Sequence, residues 1–153
     1  HLSKGLTMII RPMKKSDLAQ VMAIEKVSFL APWSEEQFLY ELEGNPFCSL
    51  FVAEEKEYIL GFIDFWITFD SGCINQIAVH PNLRQKGIAS ILMEDALKRL
   101  AGQGVKNVTL EVRIHNASAI KLYEKFGFAQ RLIKKGYYDN GDDAIYMEKG
   151  LIS

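Results

Sequence analysis

Residues 77–90 read Ile77-Ala78-Val79-His80-Pro81-Asn82-Leu83-Arg84-Gln85-Lys86-Gly87-Ile88-Ala89-Ser90. An apolar strand runs into a Pro/Asn turn, then into a basic, glycine-bearing loop that opens an amphipathic helix. Such a junction aims several backbone N–H groups at one spot, at the positive end of a helix. The chemistry it suits is anion binding, most naturally of a phosphate or pyrophosphate. Other phosphate loops do not fit. A Walker A loop needs Gly-Lys-Ser/Thr, whereas Lys86 precedes Gly87 and no Ser/Thr partner follows. A dinucleotide fingerprint needs Gly-x-Gly-x-x-Gly after a strand. Gly102-Gln103-Gly104 follows a helix and lacks the third glycine. On the loop alone, an ordinary helix start without a ligand remains an open alternative.

A second group of candidates lies between residues 110 and 128. Glu111 sits on a strand next to the one that leads into the loop, Asn116 starts the following helix, and Tyr123 lies two turns along it. A strand-borne carboxylate and a helix-borne phenol can converge on one cleft, where they would suit amine deprotonation and thiolate protonation. Plainer alternatives stand beside these. Glu111 can also be read as a solvated strand carboxylate or one ion-paired with Arg113, and Tyr123 as a core phenol packed near Ile120. His80 and His115 read as turn and loop residues. Trp33, Tyr137 and Tyr138 are core or loop aromatics, or else the walls of a channel. Cys73 has no evident activating base, which argues against a nucleophile. No His, Cys, Asp and Glu set has metal-ligand spacing, so no metal is expected.

The elements that must position these groups follow from periodicity and punctuation. A first strand over 8–11 ends at Pro12. Ser16 is expected to cap a helix with Leu18, Val21 and Met22 on one face. Ser34-Glu35-Glu36-Gln37 is a capping box and starts a second helix. Apolar runs over 48–53 and 59–69, separated by charged residues 54–57, suggest a hairpin. A strand over 74–79 follows, then a helix over 88–100 with Ala89, Leu92, Ala96 and Leu100 on one stripe, ended by Gly102 and Gly104. Val108, Leu110 and Val112 alternate with Thr109, Glu111 and Arg113, as a half-buried strand requires. Asn116 caps a helix stopped by Gly127. Two closing strands are expected to join around Asn140-Gly141. The resulting order predicts a mixed, twisted α/β sheet with helices on both faces.

The chain has 153 residues with 48% hydrophobic and 24% charged content, which fits one ordinary globular domain over 8–153. Residues 1–7 read as a vector-derived remnant ahead of Met8. The formal net charge is -1, so no global field favours nucleic acid or anionic membrane. No run approaches a bilayer span and no signal peptide is evident. Two cysteines without redox spacing suggest reduced thiols and a cytoplasmic setting.

The loop's Arg-x-x-Gly-x-Ala, with the strand before it, resembles the acetyl-CoA-binding signature (Gln/Arg)-x-x-Gly-x-(Gly/Ala) of the GNAT N-acetyltransferase superfamily. The element order resembles the GNAT fold as well. Asn-x-x-Ala-x-x-Leu-Tyr-x-x-x-Gly-Phe over 116–128 is found across many GNATs. Glu111-Val112-Arg113 before it and Gly136-Tyr137-Tyr138 after it are more specific. Together with Ala31-Pro32-Trp33-Ser34 and the run from Asp142 to Met147, they resemble the RimI branch, bacterial ribosomal-protein-alanine N-acetyltransferases. The resemblance implies acetyl-CoA as co-substrate and the N-terminal segment of a protein, ribosomal in RimI, as acceptor. It implies Glu111 as general base and Tyr123 as general acid. Ile77, Ala78 and Val79 would supply backbone bonds to the pantetheine arm. Arg84, Gln85, Lys86, Gly87, Ile88, Ala89 and Ser90 would hold the cofactor, with the stretch from Gln85 cradling its pyrophosphate. Asn116 would contact the cofactor, and Trp33, Tyr137 and Tyr138 the peptide. His80 departs from the Asp that RimI proteins often carry. A monomer or weak dimer is expected. Two other readings stay open: a GNAT that acetylates a small amine or antibiotic, and a non-catalytic acyl-CoA sensor, against which the presence of both Glu111 and Tyr123 argues.

Overall fold

A computed structural model describes residues 7–151. Seven strands form one sheet in the order β1-β2-β3-β4-β5-β7-β6. The strands are β1 (Ile9–Pro12), β2 (Cys48–Glu55), β3 (Tyr58–Thr68), β4 (Ser71–Val79), β5 (Asn107–Arg113), β6 (Ala129–Lys134) and β7 (Ala144–Gly150). The helices are α1 (Leu18–Ser28), α2 (Glu35–Leu39), α3 (Ile88–Gly102) and α4 (Ala117–Lys125). All neighbouring strands are antiparallel except β4 and β5, which α3 joins in parallel. Residues 1–6 of the expected remnant lie outside the described residues, and the Thr7 N–H donates to Glu55 at 2.8 Å.

The two faces of the sheet are packed separately. Leu50, Val52, Phe62 and Ala78 meet Val21 and Ile24 of α1 and Phe38 of α2. On the other face Ile63, Ile74, Val108 and Leu110 meet Leu92, Met93, Ala96 and Leu100 of α3 and Tyr123 of α4. The expected stripe on α3 is thus its buried face, and the alternation of β5 places Val108, Leu110 and Val112 inside.

Two local expectations are corrected. Ser16 does not cap α1. The Asp17 carboxylate accepts the Arg11 guanidinium at 2.8 and 2.9 Å and the Lys14 N–H at 2.7 Å. That network starts a 3-10 turn over Lys15–Asp17 one residue upstream, so Ser16 lies inside the turn. Asn140-Gly141 does not close a tight hairpin either. β6 ends at Lys134 and β7 begins at Ala144, leaving a long loop in which Tyr138 and Gly141 form a local turn. Side-chain bonds from Arg113 of β5 to Asn140 and Asp142 of that loop compete with continuing the ladder.

The feature that matters most for a site is where β4 and β5 part. Their parallel pairing runs from Ser71↔Asn107 to Ile74↔Leu110 and stops. Beyond that point Glu111 to Arg113 pair only with β7, and Gln76 to Val79 only with β3. The β3–β4 register slips between Asp64 and Phe65, leaving Asn75 as the extra residue. A bulge bends its strand and reverses the alternation after it. Asn75 is held there by donating to buried Asp64 at 3.0 Å. β4 therefore turns away from β5, and a wedge opens in the middle of the sheet.

Candidate active site

On the α3 side of the wedge lies a cavity of about 420 Å³. Ile77, Ala78, Val79, Arg84, Gln85, Gly87, Ile88, Ala89, Ser90 and Asn116 line it. Lys86 does not: it is exposed and points away from the cavity wall. The loop's backbone explains this. Gln85 and Gly87 both have positive φ, 64° and 84°, with Lys86 between them. Left-handed residues alternating with ordinary ones turn successive N–H groups inward and the intervening side chain out. A Cβ added at Gly87 would meet nothing within 4 Å, so the chain there faces open space. The first N–H groups of α3 add to the same spot, because Ile91 is the first to reach a helical carbonyl, that of Gly87 at 3.1 Å.

Arg84 is exposed, yet its guanidinium is tied to the cavity wall. Its Nε donates to the Val79 carbonyl at 3.2 Å and Nη2 to Ser28 Oγ at 3.1 Å. β4 supplies the facing edge. The His80 N–H donates back to Leu60 of β3 at 2.8 Å. By antiparallel alternation the N–H groups of Ile77 and Val79 then face the wedge. His80 itself acts as a turn residue, its Nδ1 accepting the Asn82 N–H at 3.1 Å.

On the other side of the wedge, toward α1 and α2, lies a second cavity of about 620 Å³. It is lined by Trp33, Cys73, Gln76, Glu111, His115, Tyr123, Tyr137 and Tyr138, among others. Ser28, Phe29, Ile77 and Asn116 line both cavities, so the two share a wall where β4 and β5 have separated. Asn116 caps α4 through its side chain, which accepts the Ala119 N–H at 3.3 Å.

Glu111 is ion-paired, but not with Arg113. Its Oε2 accepts Lys134 of β6, and its Oε1 accepts the Tyr137 hydroxyl at 2.9 Å. Arg113 is drawn off by the loop after β6, pairing with Asp142 at 3.1 Å and lying 3.9 Å from the centre of the Tyr138 ring. Tyr123 is only 8% exposed. Its ring packs edge-on against Phe128, with centroids 6.0 Å apart, while the residue also lines the larger cavity. Burial holds its phenol well above the ordinary tyrosine range, which keeps the proton on at neutral pH. Burial likewise pushes the Cys73 thiol up, against a nucleophile.

The Trp33 ring packs edge-on to Phe38 with centroids 5.3 Å apart, and the Trp33 backbone N–H donates to buried Glu25 at 2.8 Å. Tyr137 and Tyr138 stack edge-on at 5.1 Å. The site also contains groups that no motif flagged: Ser28, Phe29, Gln76 and Lys134. They come from α1, the bulged half of β4 and an edge strand, and only tertiary contact brings them together. Away from both cavities, ligand atoms of Glu41, Cys48 and Asp64 lie within 4.8 Å of one another. Sequence spacing conceals this grouping, but donors already serve it: Trp66 Nε1 and Asn45 Nδ2 on Glu41, and Asn75 Nδ2 on Asp64.

The comparison with known proteins agrees with this architecture. The model of the acetyltransferase (GNAT) family matches residues 18–128. The [ribosomal protein bS18]-alanine N-acetyltransferase of Escherichia coli (strain K12) is 32% identical over 141 residues, covering 90% of this chain and 94% of that protein. An N-alpha-acetyltransferase of Saccharolobus solfataricus is 30% identical, covering 97% and 96%. The crystal structure of the Escherichia coli ribosomal-protein-S18-alanine N-acetyltransferase superimposes with a TM-score of 0.87 at 29% identity, over 96% of each chain. With its parted central strands, its left-handed loop ahead of α3 and a family match over most of its length, this chain belongs to the GNAT acetyltransferase family.

Proposed function

We propose that this protein transfers the acetyl group of acetyl-CoA to the N-terminal α-amine of a protein, a ribosomal protein beginning with alanine being the foremost candidate. The observation that carries the reading is the meeting of two cavities at the wedge. One is walled by backbone suited to phosphate, the other by a carboxylate, a buried phenol and aromatic rings. The names of the bacterial and archaeal relatives, which act on protein N-termini, support the choice of acceptor.

The inward N–H groups of the 85–90 loop and of α3 suit the pyrophosphate. The free edge of β4 at Ile77 and Val79 suits an extended amide-bearing arm, which bonds there as an added strand would. The Val79 N–H can also receive the developing oxyanion when the amine attacks the thioester carbonyl. Lys86 lies outside the lining of this cradle and acts through its backbone and the charge of its exposed side chain.

Proton traffic divides between two groups. An α-amine has a pKa of roughly 7.7–8.0, so roughly a tenth is already neutral at pH 7, whereas a lysine near 10.4 is neutral to only a few parts in ten thousand. Glu111, directly or through one water, takes the proton the amine must lose. Tyr123, kept protonated by burial, gives one to the departing thiolate. Trp33, Tyr137 and Tyr138 wall the path of the peptide. The decisive experiment is an acetylation panel that sets an N-terminal alanine peptide against the same peptide with a blocked N-terminus and an internal lysine, and against free polyamines. Turnover of the first alone is expected. Preference for polyamines would move the protein to the small-amine GNATs, and acetyl-CoA binding without any turnover would leave a sensor.

A further inference from the structure

Both oxygens of Glu111 are occupied, and by unlike partners. Lys134 is ion-paired to Oε2, and the Tyr137 hydroxyl donates to Oε1 at 2.9 Å. The Lys134 ammonium also stands 5.2 Å from the centre of the Tyr137 ring and 5.1 Å from that of Tyr146, within cation–π range of each. The other titratable or charged groups facing this corner are Tyr138 from the loop, Tyr146 from β7, Cys73 from β4 and Arg113, two residues along β5 from Glu111. The first three are phenols and a thiol, none of which carries positive charge in any state, and Arg113 is paired with Asp142 at 3.1 Å. Among the described residues, Lys134 is the cation paired with Glu111.

Its presence there is the product of a register slip. Glu111 pairs with Tyr146, and Tyr146 pairs with Leu132. β6 is thus two strands away from β5, roughly 10 Å at two strand spacings. Lys134, two residues along from Leu132, spans that gap by lying over the Tyr146 ring. The β6–β7 register shifts between Gln130 and Leu132, leaving Arg131 as the extra residue. Without that bulge, Arg131 and Ile133 would share the face of Glu111, and Lys134 would point to the opposite one.

We propose that Lys134 is a positioning residue for Glu111, fixing the carboxylate through Oε2 so that Oε1 is the oxygen the incoming amine reaches when it displaces the Tyr137 hydroxyl. This rests on the reading of Glu111 as the base. A general base must come within about 3 Å of the proton it takes. A glutamate on an open strand samples many rotamers, and a cation on one oxygen removes most of them while leaving the other free to exchange partners. Tyr137, in the loop that walls the peptide path and 48% exposed, is the partner able to move. Lys134, on a paired strand and packed on Tyr146, is not.

The test is a double-mutant cycle on Lys134 and Glu111, read by steady-state kinetics with an N-terminal alanine peptide across pH 6–9. Lys134→Met is expected to lower kcat about tenfold, with the acetyl-CoA KM unchanged. Lys134→Arg should recover most of the rate. In a Glu111→Gln background, Lys134→Met should cost nothing further. Lys134→Gln serves as a second neutral variant, with melting curves confirming that each folds. Wild-type kcat in both neutral variants would overturn the proposal, as would an equal loss in the Glu111→Gln background. If Glu111→Gln alone kept wild-type kcat, the base assignment would fall and this proposal with it. A slow Glu111→Gln beside unaffected Lys134 variants would remove this proposal alone.

Discussion

The two cavities that meet at the wedge are built from different materials. The polar groups that the α3-side cavity turns to a ligand are those of the backbone at the left-handed Gln85 and Gly87, the first turn of α3 and the free edge of β4. The larger cavity is made of side chains from α1, the α2 approach, β4, β5, α4 and the loop before β7. A backbone site tolerates changes of side chain but not of φ or of space. A side-chain site keeps its shape when a residue is truncated but loses its chemistry.

The sharpest way to break that comparison is at Glu111. Glu111→Gln keeps size and hydrogen bonding, so the fold should stand while kcat falls by about 10²–10⁴, a usual general-base contribution. The loss should be deepest below the pKa of the amine. A variant with wild-type kcat over pH 6–9 would make the carboxylate structural. Next comes Gly87→Glu, the corresponding test of the backbone site. Holding a side chain at positive φ costs about 1–2 kcal/mol, so Tm should fall by a few degrees. Acetyl-CoA affinity by calorimetry should drop at least a hundredfold, since the new carboxylate would project into the phosphate cradle. Unchanged affinity would refute the cradle.

Tyr123→Phe should be milder. A thiol has a pKa near 8.5, so a thiolate leaves tolerably without help. The ring would still pack on Phe128. We expect kcat to fall by roughly 10- to 10³-fold with acetyl-CoA affinity intact. A melted protein with normal activity in its folded fraction would make Tyr123 a core group alone. The smallest effect belongs to Asp64, whose carboxyl sits outside both cavities. Burial, with Glu41 beside it, pushes it up to about 8. The folded chain then holds a proton that the unfolded chain releases near 4. Between these values the unfolded state binds fewer protons, so stability declines as pH rises through the window. Asp64→Asn should flatten the fall in Tm between pH 6 and 9 and leave kcat largely unchanged. If the slope persists, the cluster is not its origin.

How much of this was legible in the sequence follows the same division. The backbone cavity is written locally, because a strand, a turn, a glycine and a helix start are neighbours in sequence. All of its expected residues line it except Lys86, whose outward turn depends on the two left-handed neighbours. Periodicity likewise gave the elements and their inner faces. Of the side-chain cavity, the sequence offered the convergence of Glu111 and Tyr123 as one reading among others, and only resemblance chose between them. Nothing in local pattern says that Glu111 takes Lys134 rather than Arg113. That choice depends on a bulge at Arg131 and on β7 slipping between β5 and β6. The bulge at Asn75 was equally silent, since an apolar–polar alternation interrupted by one residue reads as noise until the register is known.

That bulge has a thermodynamic consequence. It leaves unpaired amides at Ile77 and Val79 in the centre of a sheet, where ladders are ordinarily complete. A ligand that supplies the missing acceptors stabilises the native state by mass action, by about 2.7 kcal/mol at a concentration one hundred times its Kd. Hydrogen exchange would register the same event residue by residue: these two amides should exchange freely in the unliganded protein and become protected with acetyl-CoA, while their neighbours bonded to β3 hardly change. The seam in the sheet would then serve as a built-in reporter of occupancy.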